Sequence, residues 1–403
     1  MAKRKRVEKH LRQAREGTIK WFLRVGPIGF GGVVFATITA LYDPGDFALR
    51  AVVVGLAVLL IVGWGYAIAG WIRTAQVRDG AGDGVPLAEV LDKCSTTLVN
   101  ELDRPGRTGW THDLKTPATS PVPVTALATS YGLKLNRLLG SPVSISAEER
   151  IATSILTELR SGTDSLWSAH TQGFESVDVS ATILSAIVPI LGQAKTARAV
   201  DLVSGRLDLL DDEYGHKSIY ALTSLISGLL RVDPDRAVLS ELVDSLVEAG
   251  TEKDGECFWP VSSWGVGQGQ ASFVHTARAV TALNRANRVL RLKGRLVRMV
   301  DGGTQYLSRF EPDPNADKQE ELIQRTYKGR PDLLHVRHFT PALVLRALAE
   351  ARAEVHRYDD LGRGIMRYYR DGAFWWSENK APIWMMYQSC QALQSSALVR
   401  SRF

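Results

Sequence analysis

Hydrophobic and polar positions divide the chain into two regions with different rhythms. Residues 25–42 and 51–72 are apolar runs without a single Asp, Glu, Lys or Arg, joined by Asp43-Pro44-Gly45-Asp46. At about 1.5 Å rise per residue each run can cross a hydrocarbon core of about 30 Å, so the pattern predicts a transmembrane helical hairpin. Trp21, Tyr42, Trp64 and Trp71 stand where the interfaces would fall. From residue 86 onward the pattern changes to amphipathic segments with charged faces, at 86–103, 146–160, 193–210, 233–249, 288–310 and 357–370. These alternate with small, apolar and nearly uncharged segments that begin at Pro121, Val177, Ser218, Ser272, Arg337 and Ala381. Charged segments suit a solvated outer layer, and small apolar ones suit a crowded inner layer.

Further local signals sharpen this two-layer reading. Ser146 with Glu149 forms a capping-box pattern, and Pro234 after Asp233 suits a first helical position. A threonine stands near the start of five inner segments, at Thr125, Thr182, Thr223, Thr276 and Thr340, an irregular repeat at about helical-hairpin length. Aromatic turns ending or centred on Trp110, Trp167, Trp259, Trp375 and Trp376 join outer to inner segments. An open solenoid would use the same alternation; six hairpins with a polar start to each inner helix favour closure into a barrel. The predicted fold class is all-α, two transmembrane helices followed by an α/α toroid of six helical hairpins. The predicted domains are a basic tail at 1–24, the hairpin at 25–72, a Gly-rich linker at 73–85 and the toroid at 86–403.

Charge changes the picture only at the N-terminus. The formal net charge of the 403 residues is +6, and residues 1–20 hold eight basic and two acidic side chains, so the remainder is close to neutral. The basicity predicts a tail that meets anionic lipid headgroups, and no nucleic-acid partner is expected. With Arg73 and Arg78 after the second span, it also predicts both termini on the cytoplasmic side of the plasma membrane. Cys94, Cys257 and Cys390 form no CxxC pair and are expected as reduced core thiols.

The turn at Asp254-Gly255-Glu256-Cys257-Phe258-Trp259, the similar one from Asp371 to Trp376, and the helices around His275 and His338 resemble the α/α toroid of the squalene/hopene cyclase and protein prenyltransferase β-subunit superfamily. The resemblance covers about residues 85 to 400 and is one of repeat texture, which other six-hairpin toroids share. It implies a central cavity lined by His275, His338, Trp259, Trp264, Trp375, Trp376 and Tyr387. By resemblance to the prenyltransferase zinc site, Asp254, Cys257 and His338 would be the ligands of a zinc ion. Neither the DxDD acid run of class II terpene cyclases nor the DDxxD run of class I synthases occurs in the chain.

Other chemistries leave weaker marks. Paired carboxylates for glycoside hydrolysis could come from Glu175, Asp178, Asp254, Glu256, Asp371 and Glu378 in the mouth turns. Gly265, Gly267 and Gly269 follow no predicted strand, which removes a dinucleotide loop. The charged, Pro-containing stretch 310–337 is expected either as a lid with Arg325, Tyr327, Lys328 and Arg330 at its tip or as a surface insertion. The leading expectation is a membrane-anchored binding or effector module, free of cofactor and without cyclase activity, that holds an apolar or isoprenoid-like ligand or a peptide, its protein partner unspecified. The alternative is a zinc-dependent prenyltransferase or cyclase acting on a lipid-linked substrate.

Overall fold

A computed structural model describes residues 85–403 except 116–122, 161–165, 170–173, 207–217, 234–236, 262–268, 292–293, 328–329, 354–356 and 401–403. The predicted tail, the transmembrane hairpin, all of the linker but Val85, and Trp264 therefore lie outside the described residues. Among the described residues no helix is long and apolar enough to cross a membrane.

Among the described residues twelve helices alternate between two layers. The outer ones are α1 (Leu87–Leu102), α3 (Ile145–Arg160), α5 (Gln193–Ser204), α7 (Ala237–Glu248), α9 (Arg295–Leu307) and α11 (Tyr358–Met366). The inner ones are α2 (Ala126–Leu138), α4 (Val177–Leu191), α6 (Ile219–Val232), α8 (Phe273–Leu290), α10 (Thr340–Ala351) and α12 (Ile383–Arg400). Each inner helix packs on the next, α2 on α4 and so on to α12, and α12 returns to pack on α2. The ring is closed, as an α/α toroid requires, and its six inner helices run side by side with their N-termini at one end.

Small and apolar residues make this crowding possible. In α4 twelve of fifteen side chains are buried, and α10 buries nine of twelve. Thr125 caps α2 by accepting from the Ala128 N–H at 3.1 Å, and Ser272 caps α8 by accepting from the His275 N–H at 3.2 Å. The expected capping box at Ser146 is displaced: α3 already begins at Ile145, and the hydroxyl that accepts a first-turn N–H, from Ala147 at 3.4 Å, belongs to Ser144.

The turn tryptophans fasten the layers together in a repeated manner. The Trp110 backbone N–H donates to Thr129 Oγ1 on α2, and its indole N–H donates to the Leu98 carbonyl on α1. Trp167 does the same with Ser180 on α4 and Ile155 on α3, and Trp259 with Thr276 on α8 and Leu246 on α7. Each ring fills the wedge between an outer and an inner helix of one hairpin. Gly132 is required beside Trp110, because a Cβ there would lie 2.2 Å from the indole.

The all-α expectation misses three β elements. Strand β1 (Thr251–Lys253) pairs with β2 (Glu256–Pro260), which also pairs with β3 (Ala271–Ser272). Late in the chain β6 (Tyr369–Arg370) pairs with β7 (Ala373–Phe374). Both two-residue turns are Asp-Gly with positive φ at each residue, 52° and 80° at Asp254-Gly255 and 53° and 77° at Asp371-Gly372, the geometry of type I′ hairpins. The largest addition is a hairpin of β4 (Lys318–Tyr327) and β5 (Arg330–Phe339), which occupies the stretch expected as a lid or insertion. Its predicted tip residue Lys328 lies outside the described residues. Ile323, Leu334 and Val336 of this hairpin pack on Tyr220 and Ala221 at the start of α6, which lays its inner face against the N-terminal end of the ring.

Candidate functional site

The inner helices enclose a central cavity of about 120 Å³. Tyr131 and Lys134 come from α2, Thr182 and Ser185 from α4, Tyr220, Thr223, Ser224, Ser227 and Arg231 from α6, Arg278, Thr281 and Arg285 from α8, Arg346 from α10, and Tyr387 and Gln388 from α12. These positions recur every three or four residues, so each helix turns one polar stripe inward while its other faces pack. Among the described residues five lining side chains are basic and none is acidic. The wall is therefore not the surface of Trp, Tyr and His expected for an apolar ligand.

One carboxylate behind the wall organises part of this charge. Glu350 accepts from Arg285 Nε at 2.6 Å and Nη2 at 2.5 Å, and from Arg346 Nε at 2.8 Å. Burial opposes ionisation of Glu350, but the two guanidiniums outweigh it and bring its pKa down to about 2. Arg285 is itself lowered to about 10, by burial and then by Arg346. Arg278 stacks 4.4 Å over the Tyr220 ring and donates to Thr223 Oγ1 at 3.1 Å and Ser224 Oγ at 2.7 Å. Lys134 donates to the Thr182 carbonyl at 2.8 Å, and burial with Arg231, Arg346 and Arg285 around it pushes its pKa well below that of an ordinary lysine. Burial would raise the Tyr387 phenol, yet the same three arginines bring it below the usual tyrosine range.

A second cluster stands at the end covered by the hairpin. Glu321 on β4 points inward and lies 3.1 Å from Nε2 of both His275 on α8 and His338 on β5. Burial works against its charge, but these two hydrogen bonds hold the carboxyl far below the ordinary range. His338 is lowered to about 4, chiefly by burial, with Arg278 adding to the effect against the pull of Glu321. With Nε2–H given to Glu321, a neutral ring keeps its lone pair on Nδ1. Nδ1 of His275 is buried and has no hydrogen-bond partner among the described residues. The two imidazoles meet edge to face with centroids 6.0 Å apart, and Tyr220 lies 6.1 Å from His338. Tyr220 thus links this group to Arg278 and the cationic cavity.

The sequence-predicted site residues are distributed as follows. His275 and His338 come together at the covered mouth, and Tyr387 lines the cavity. Thr276 and Thr340, expected to face the same space, turn elsewhere: Thr276 accepts from Trp259, and Thr340 donates to the Ala316 carbonyl. Trp259 fills its interlayer wedge, Trp375 donates to the Arg370 carbonyl, and Trp376 packs at a tilt of 60° against Trp384. The zinc set does not assemble. Asp254 is an exposed turn residue, Cys257 packs against Gly302 of outer helix α9, and His338 is committed to Glu321 at the mouth. A Cβ at Gly302 would lie 2.7 Å from the Cys257 sulfur, which shows how closely that thiol is enclosed. Among the described residues no group of three or more His, Cys, Asp or Glu side chains could hold a metal ion. Sequence reasoning overlooked Lys134, Arg231, Arg278, Arg285, Arg346 and Glu321. For the basic residues the signal was a charge recurring at helical spacing within or beside segments read as nearly uncharged, most plainly Arg278 and Arg285; Glu321 left no such signal.

Neither a protein-family model nor a curated protein sequence matches the chain. Solved structures do share its architecture. A variant of a type II terpene cyclase from Scytonema, in complex with geranylgeranyl dihydroxybenzoate, is similar with a TM-score of 0.51 and 12% identity, over 77% of this chain and 99% of its own. An inactive variant of an alpha-1,6-mannanase from Salegentibacter sp., in complex with alpha-1,6-mannotetrose, has a TM-score of 0.50 and 10% identity, over 77% and 99%. Cellobiose 2-epimerase from Bacillus thermoamylovorans has a TM-score of 0.50 and 12% identity, over 76% and 98%. At these identities the likeness establishes the α/α toroid alone, because one fold carries many chemistries.

Proposed function

We propose that this chain is an α/α-toroid enzyme acting on a substrate that carries a phosphate or diphosphate group, which it holds in the central cavity. The observation that carries the reading is the wall of five basic side chains, with no carboxylate lining it among the described residues. A low-dielectric pocket with preorganised cations stabilises negative charge that builds on a departing phosphate group far more than water does. The His275, Glu321 and His338 cluster supplies the proton chemistry of the same reaction, with Glu321 fixing both imidazoles so that Nδ1 of His275, which has no partner among the described residues, accepts a proton. The reaction class is transfer or cyclisation of an organic group with loss of the phosphate. No zinc is assigned to it, and the missing DxDD run argues against protonation in the manner of class II cyclases.

The apolar runs at 25–42 and 51–72 give the proposal its setting. If they tether the toroid to a bilayer, a lipid-linked substrate such as an isoprenyl phosphate or diphosphate is within reach of the cavity. The test is incubation of the full chain in detergent with isoprenyl diphosphates of several lengths, followed by measurement of released pyrophosphate. Release that is abolished by Arg278→Gln and by His275→Gln is the expected result. Turnover of neutral oligosaccharides without any on phosphorylated lipids would overturn the reading.

A further inference from the structure

We propose that Lys134 is a proton-coupled anchor of the central cavity, neutral when the cavity holds no anion and protonated when one is bound. The inference rests on the anionic-substrate reading above and specifies how that site recognises charge.

The argument begins with position. Lys134 lies two-thirds of the way along inner helix α2, and the protein group that accepts from its amine is the Thr182 carbonyl on α4, at 2.8 Å. A carbonyl dipole stabilises an ammonium far less than a carboxylate does. On its own helix the neighbouring titratable group is Tyr131, whose ring centroid is 5.6 Å from the amine and whose pKa burial raises to about 12, so it is a neutral phenol. On α4 the charged group is Asp178, in the first turn near the mouth, while Lys134 faces Thr182 and Ser185 further down. From α12 Tyr387 lines the same cavity, its phenol brought below the usual tyrosine range by Arg231, Arg346 and Arg285 against the effect of burial. Across the cavity stand Arg231, Arg285 and Arg346, and the charge of Glu350 is already given to the latter two. Guanidiniums keep their protons, whereas a buried lysine surrendering one relieves both desolvation and repulsion. The direction found for Lys134, well below an ordinary lysine, agrees with this balance.

An anion in the cavity reverses the balance. Its charge offsets the arginines and adds a charged acceptor to the neutral Thr182 carbonyl, so Lys134 regains a proton. A dianion or trianion does this far better than a single carboxylate, and a neutral sugar does not do it at all. The cavity thereby selects for phosphate charge as well as for shape. By linkage, affinity falls as pH rises through the window between the lysine pKa of the free and the loaded site, by up to about tenfold per pH unit for one proton.

Calorimetric titration of the full chain in detergent with inorganic pyrophosphate, at mildly alkaline pH in buffers of different ionisation enthalpy, counts the protons exchanged. Protonation changes of pyrophosphate itself are common to all variants and cancel between them. Wild type is expected to take up about one proton more than Lys134→Arg, whose guanidinium stays charged, and than Lys134→Met. Sulfate, which does not titrate in this range, repeats the count on wild type alone if a variant fails to fold, and uptake of a proton is again expected. Equal counts in wild type and Lys134→Arg, or sulfate bound with no uptake, would overturn the coupling while leaving the anionic site standing. Failure of wild type to bind either anion would overturn the reading on which it rests.

Discussion

Arg285 on α8 and Glu350 on α10 form a two-pronged ion pair, with Nε–Oε2 at 2.6 Å and Nη2–Oε1 at 2.5 Å. Arg346 shares the same carboxylate, so two guanidiniums are held by one counter-ion and keep a net positive charge facing the cavity. The pair also ties neighbouring inner helices at the end of the ring opposite the β4–β5 hairpin. Its two roles, fastening the ring and setting the cavity charge, can be separated by substitution.

Glu350→Gln removes the counter-ion and leaves two buried guanidiniums facing each other. Breaking a buried pair by deleting one partner costs about 3–5 kcal/mol, so a marked drop in the denaturant midpoint is expected. Pyrophosphate should bind this variant more tightly than wild type and restore part of the lost stability. Weaker pyrophosphate binding at unchanged stability would show that the carboxylate does not set the cavity charge.

Acid should loosen the hairpin end of the ring. His338 titrates near 4 in the folded chain against 6.5 for the ordinary side chain, so between these values the unfolded state binds more protons and stability falls as pH falls. Glu321, whose folded pKa lies below its ordinary 4.5, adds a loss in the same direction as pH drops below that value. Unfolding free energy is thus expected to be full above about pH 6.5 and to decline toward pH 4. His338→Gln should flatten the upper part of that decline; an unchanged pH profile in the variant would contradict the assignment.

The interlayer tryptophans should behave as structural fasteners. Trp259→Ala is expected to cost about 3–5 kcal/mol, as for other large buried aromatics. Thr276→Val removes only the bond to the Trp259 N–H and should cost about 1 kcal/mol. Neither change places a new group in the cavity, so pyrophosphate affinity of the folded variants should match wild type. A large affinity change in Thr276→Val would return that residue to the site.

Asp254 offers a direct comparison between turn and metal ligand. Its φ of 52° suits Asn as well as Asp, so Asp254→Asn should leave stability and metal content unchanged. Asp254→Val should destabilise by about 1 kcal/mol, because a β-branched residue resists the left-handed region. Stoichiometric metal in wild type that is lost in Asp254→Asn would restore the zinc reading.

The alternation of charged and small apolar segments made the closed ring legible, because each layer of a toroid imposes its own composition. The turn tryptophans were equally visible, but their place was misjudged: an aromatic after a tight turn at the end of an outer helix can reach either the cavity or the wedge between layers. The hydrogen bonds from Trp110, Trp167 and Trp259 to inner-helix hydroxyls decide for the wedge. Asp254-Gly255 and Asp371-Gly372 carried a hairpin signal that the all-α expectation passed over. The cavity was hidden for a different reason. One or two arginines scarcely alter the apolar texture of a helix, yet six helices that each turn a polar stripe inward bring Lys134, Arg231, Arg278, Arg285 and Arg346 to one space. Glu321 comes from a hairpin far along the chain from His275, a meeting that no local pattern encodes.

The central claim is that this cavity holds a phosphate-type anion, and titration of the full chain with inorganic pyrophosphate tests it most directly. Wild type should bind, and Arg278→Gln, which removes a cavity-lining guanidinium held by Thr223 and Ser224, should bind about tenfold more weakly, as expected for loss of a charge-assisted hydrogen bond of about 1.5 kcal/mol. Absence of pyrophosphate binding by the folded wild-type chain, or equal affinity in wild type and Arg278→Gln, would contradict the account.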